Sequence, residues 1–202
     1  MDYPLIEACI SNNTEIVKML VEKGADMPVR DSEEDLTPLH FVCGHGNEEL
    51  VKFFLDKGVD VNSNTDDGPT ALITACINEN TNIVKMLINN GADINRQYDC
   101  GFTPLMEATT RGNIDIVSLL LENRADVSVA DEWGDTAMTL AIEYEKTEIV
   151  TLIKNHINRL VSLVIKKGRT KNEIPLVPYS HKDLTYCIAT YVGGEQLRKP
   201  HW

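Results

Sequence analysis

Basic residues are scarce in this sequence. Nineteen Lys and Arg stand against 31 Asp and Glu, a formal net charge of −12 and a pI of about 4.8. A non-specific binder of nucleic acid or of an anionic membrane carries a basic patch, so neither partner is expected. The one concentrated basic run, Lys166, Lys167, Arg169 and Lys171, reads as a solvated helix end, where the helix dipole favours cations. Long apolar runs are missing too: nothing approaches the roughly 20 residues that span a bilayer. Met1, Asp2, Tyr3 and Pro4 show no positive stretch leading into an apolar core, and no secretion signal is expected.

Also lacking is a catalytic constellation. The five histidines, His40, His45, His156, His181 and His201, form no His-Glu-x-x-His metal motif. There is no phosphate-cradling Gly-x-x-x-x-Gly-Lys-Ser/Thr loop and no Gly-x-Ser-x-Gly nucleophile turn. The expectation is a non-enzyme with no catalytic residue, no cofactor and no metal. Cysteines number five, and Cys9, Cys43 and Cys76 follow one another at 34 and 33 residues. Equivalent sites on stacked helices lie about 10 Å apart, beyond the roughly 7 Å reach of a disulfide. They read as small core residues in a reducing compartment: intracellular, cytoplasmic, with a nuclear place left open.

What is present is a repeat. Thr37, Thr70, Thr103 and Thr136 are each 33 residues apart, and a fixed period of this length marks a stacked architecture. Around each threonine the same physical sentence recurs. Gly101 and Gly134, and Gly68 in the unit before, stand two residues earlier, in a turn that wants positive φ. The threonine is a helix N-cap, and Pro38 and Pro104 suit the first helical turn because their missing N–H would be orphaned there. A short apolar helix follows, over Leu39–Cys43 or Leu72–Ile77. It breaks at Gly46-Asn47, Glu79-Asn80 and Gly112-Asn113, where asparagine is expected to cap a second helix. That helix carries apolar pairs at helical spacing, such as Ile83-Val84 with Leu87-Ile88. It stops at Gly24, Gly58 and Gly91, suited to the left-handed position after a helix. Arg124 stands at the fourth such place, where a side chain is disfavoured. One unit cannot bury its own apolar face, but stacked copies can.

These residues resemble the ankyrin repeat. Thr37-Pro38-Leu39-His40 matches its Thr-Pro-Leu-His signature and Gly91-Ala92-Asp93-Ile94-Asn95 its Gly-Ala-Asp-Val-Asn ending, and the likeness spans roughly residues 1–155. It implies an all-α solenoid of helix–turn–helix units with β-turn fingers. The divisions expected are about 1–31, 32–65, 66–98, 99–131 and 132–168 for the repeats, the last with an extended helix running to Gly168, and 169–202 for a C-terminal tail. The tail packs on the last repeat, extends as a docking segment or stays disordered. The resemblance also implies that His40 bonds between neighbouring turns. It makes Asp60, Asp93 and Asp126 structural members of the repeat ending. Asn62 and Asn95 either brace turns through side-chain hydrogen bonds or occupy the place hydroxylated in some members.

In this family the finger tips and the inner helices form a concave groove that binds proteins. Mapped position by position, the groove holds Asp66, Asp67, Asp99, Phe102, Arg111, Glu132, Trp133, Asp135 and Tyr144. The repeat dictates none of these identities. Aromatics are the usual interface anchors, and an acidic rim around them implies a partner with a basic and partly apolar segment, associating more slowly as salt rises. The expected function is a monomeric, non-enzymatic interaction module or scaffold. A second reading is an adaptor whose repeats choose a client while the tail recruits machinery: Ile174 to Pro178 and Asp183 to Tyr186 faintly resemble the second half of a SOCS box, although Val164 stands where its first half wants cysteine. A microbial effector directed at a host is a variant of the first reading.

Overall fold

The computed structural model describes residues 4–31, 36–63 and 68–168, with side chains as far as Leu163. Residues 1–3, 32–35, 64–67 and the tail 169–202 lie outside the described residues. With them lie the adaptor motif, the proposed N-cap Asp2 and the finger tips Glu33, Glu34, Asp66 and Asp67.

Five helix pairs follow one another. The inner helices are α1 (Pro4–Ile10), α3 (Pro38–Gly44), α5 (Ala71–Ile77), α7 (Pro104–Arg111) and α9 (Ala137–Glu143). Each is followed by an outer helix: α2 (Thr14–Glu22), α4 (Glu48–Asp56), α6 (Thr81–Asn89), α8 (Ile114–Glu122) and α10 (Thr147–Gly168). Every inner helix packs on its outer partner and on the inner helices before and after it. The result is two layers with a continuous core strip between them. Leu39, Leu72 and Leu105 sit one repeat apart and are at most 1% exposed, and Val17, Val51, Val84 and Val117 are at 0%. Cys9, Cys43 and Cys76 are likewise buried at 0% and unpaired. Burial pushes the Cys9 thiol up to about 12 and those of Cys43 and Cys76 further still, so all three stay neutral.

The helix starts follow the sequence reading. Thr70, Thr103 and Thr136 accept the N–H of the residue three positions on, each at 3.3 Å. Asn13, Asn47 and Asn113 cap the outer helices in the same way. Asn80 does not. Its amide turns back and donates to the Cys43 carbonyl at 2.8 Å, resting against Gly46, where a Cβ would meet the Asn80 Oδ1 at 2.9 Å. Only glycine leaves that room. Here the side chain ties two units together instead of closing its own helix.

Arg124 keeps the conformation of the glycines it replaces. Its φ is 71°, beside 88°, 78° and 85° at Gly24, Gly58 and Gly91, and its N–H closes on Leu121 O at 3.2 Å. Left-handed backbone costs an L side chain roughly 1–2 kcal/mol, partly offset by the smaller unfolded-state freedom of a non-glycine. Arg124→Gly should therefore stabilise the chain by about 0.5–1 kcal/mol, seen as a rise of a few degrees in Tm. Gly91→Arg should lower it by a similar amount, and equal melting curves for both would show that the cap carries no strain.

Candidate protein-binding surface

The best-defined part of the finger row lies between the fourth and fifth units. Each finger is a tight turn closed by one antiparallel bridge, Tyr98 with Phe102 and Ala130 with Thr136. The two are clipped together: Glu132 N–H donates to Cys100 O at 3.0 Å, and the Gln97 amide donates to Gly101 O at 2.8 Å and Ala130 O at 3.2 Å. Cys100 takes a positive φ of 56° to make its turn. A cleft of about 700 Å³ opens between the fingers, lined among others by Tyr98, Asp99, Asp131 and Glu132.

Asp131 organises the fifth finger. It is 8% exposed, and its Oδ1 accepts the N–H of Trp133 at 2.9 Å and of Asp135 at 2.8 Å, while its own N–H donates to Asp135 O at 2.9 Å. The turn is thus fixed by a carboxylate that serves backbone, not solvent. The sequence reading passed over this residue. An aspartate two positions before the tip was the available signal, because Asx side chains bond backbone two residues on.

The structure distributes the mapped groove residues unevenly. Trp133, at the tip above Asp131, is 65% exposed, and Tyr144, closing the C-terminus of α9, is 53% exposed. Asp99 and Glu132 are exposed, and Asp135 is half-buried. Phe102 is half-buried and packs against the core, so its ring completes the stack rather than standing free. Arg111 lies 3.7 Å from Glu107 on its own helix, and Glu107 also accepts the Tyr98 hydroxyl. Burial, then that hydrogen bond, push the Tyr98 phenol up. Asp66 and Asp67 fall outside the described residues.

The braces between fingers are explicit. Asn62 donates to Gly91 O at 3.0 Å and accepts from Asp93 N–H at 2.8 Å, and Asn95 accepts from Asp126 N–H at 2.8 Å. His40 is 1% exposed. Its Nδ1 accepts from Thr37 N–H at 3.1 Å, which leaves the proton on Nε2, and Nε2 donates to Pro69 O at 3.0 Å. This bond joins the second unit to the third. Among the described residues no His, Cys, Asp and Glu converge as a metal site, and no helix is long and apolar enough to cross a membrane.

Burial, outweighing the bond to Pro69, pulls the His40 imidazole down to about 4 from its usual 6.5. His156, also buried, is lowered by burial and then by Arg159. Between those limits the unfolded chain binds protons that the folded chain refuses. Stability is therefore full above about pH 6.5 and falls as the pH drops towards 4, by up to roughly 3 kcal/mol for His40 alone. Urea midpoints measured across this window should fall, and His40→Gln should flatten the slope while lowering stability at pH 7. An equal slope in the variant would assign the pH dependence elsewhere.

Comparison with known families agrees with this geometry. Residues 5–98 match the model described as ankyrin repeats (3 copies), and residues 87–141 the model described as ankyrin repeats (many copies). No curated protein matches the chain. Ankyrin repeats are in general non-enzymatic modules of protein–protein interaction. With five stacked helix pairs, bridged fingers and family matches that together run from residue 5 to residue 141, the chain belongs to the ankyrin-repeat family.

Proposed function

We propose that this chain does no chemistry itself and binds a protein that presents a basic, partly apolar segment, seated on the fourth and fifth fingers and the inner-helix ends. Trp133 carries the reading. A tryptophan 65% exposed at the tip of a hydrogen-bonded turn is required by neither helix nor core. Asp99, Glu132 and Asp135 around it, with Asp66 and Asp67 from the third finger, supply the charge that steers a basic segment. Phe102 supports the finger from below, Tyr144 offers a second aromatic contact, and Arg111 borders the surface from α7. The turn is already ordered, which limits the entropy lost on binding. The chain acts as a monomer, and its buried unpaired thiols suit a reducing compartment, cytoplasmic or nuclear.

The test is affinity capture from the source cell with the full chain, followed by titration of the captured protein. Trp133→Ala should weaken binding by roughly 2 kcal/mol, about thirtyfold in Kd, with Tyr144→Ala costing less. Raising salt should slow association with little change in dissociation. A captured protein that binds the folded Trp133→Ala variant as tightly as wild type would move the site off the fingers.

A further inference from the structure

The two ends of a repeat stack have no neighbour, and soluble stacks ordinarily turn polar faces outward there. The C-terminal end of this one is apolar. Cys9, Cys43, Cys76 and Thr109 stand one repeat apart and are all 0% exposed, because the next unit covers them, whereas Ile142 at the same position of α9 is 58% exposed. Val150 is half-buried where Val17, Val51, Val84 and Val117 are at 0%, and Met138 is half-buried where Leu39, Leu72 and Leu105 are at most 1%. The sequence has placed a larger apolar residue, isoleucine, on the face that solvent would otherwise wet.

The chain supplies an occupant. α10 has 22 residues where α2, α4, α6 and α8 each have 9, so it overhangs the stack by about 20 Å. Thirty-four residues follow Gly168, ample to return at about 3.3 Å per extended residue. They contain apolar runs with Ile174, Leu176, Val177, Leu184, Ile188 and Val192. Their charge is opposite to the rest: Arg169, Lys171, Lys182, Arg198 and Lys199 outnumber Glu173, Asp183 and Glu195 in a chain of net charge −12. Exposed Glu143 and Glu145 flank Ile142. We infer that the segment from Ile174 to Val192 docks on the open face of the fifth unit, over Ile142, Met138 and Val150, and closes the stack.

Hydrogen exchange on the full chain tests this, comparing wild type with Ile142→Arg and, from the other side of the contact, Leu184→Arg. Neither position is packed within the described repeats, and circular dichroism checks that both variants keep their helices. Peptides spanning 174–192 should exchange at least about tenfold more slowly in wild type than in either variant, with protection of the second and third units unchanged. Exchange of that segment at the unstructured rate in wild type would overturn the proposal. So would protection that survives Ile142→Arg, or a wild-type dimer in sedimentation that Ile142→Arg dissociates, since a second copy would then cover the face.

Discussion

Each helix pair of this chain is buried by the pairs on either side of it. Side chains at Leu39, Leu72 and Leu105, or at Val51, Val84 and Val117, are sealed at 1% exposure or less because a following unit presents the matching surface. Burial of one such side chain contributes about 1.5–3 kcal/mol, and it does so only while the stack persists. This makes stability a sum over neighbouring interfaces. It also explains why the polar links that matter run from unit to unit: His40 to Pro69, Asn80 to Cys43, Asn62 to Gly91. Each satisfies backbone groups at a junction that apolar contact alone would leave free to slide.

The same constraint sets where the backbone is strained. To return antiparallel and then advance by one unit, the chain must reverse at fixed places, and the reversals need left-handed residues. Gly46 and Gly112 meet this need between helices without cost, while Asn12, Glu79 and Glu145 meet it at the equivalent positions with φ of 51°, 57° and 55°. The geometry is therefore imposed by packing and not by glycine. Where packing also demands room, as at Gly46 beneath Asn80, glycine is required for a second reason.

Much of this was legible in the sequence because the period carries it. A threonine every 33 residues places the helix starts, and the apolar pairs place the outer helices. What the period could not carry were the exchanges between side chains of similar type. Asn80 looks like Asn47 and Asn113 in sequence, yet its amide serves a neighbouring carbonyl, a choice set by the space above Gly46. Phe102 and Trp133 are both aromatics on fingers. One lies after its turn and packs inward, the other stands at the tip and remains out, a difference that depends on the bridge closing each finger. Thr109 replaces the cysteine of the other units, and its hydroxyl is buried with no partner among the described residues, which composition alone does not reveal.

Repeat proteins face a particular problem in recognition. The residues that hold the stack are fixed in type, so specificity must sit on residues the stack does not use, and these tend to lie on turns with few contacts to hold them. Asp131 resolves the difficulty in the fifth finger. Its carboxylate is nearly buried, and its two N–H bonds define the backbone on both sides of Trp133, while Glu132 N–H locks the same turn to Cys100 O of the fourth. The indole is free, but the chain beneath it is not. An anchor whose backbone is already ordered loses little freedom on binding, and burying an aromatic of this size brings a large apolar area into contact. The acidic side chains beside it remain solvated in the unbound chain, so they steer an approaching cation without a standing desolvation cost. Rigid backbone, free aromatic and solvated charge are thus separated on adjacent residues of one turn, a division that a helix or a core position of this fold could not provide.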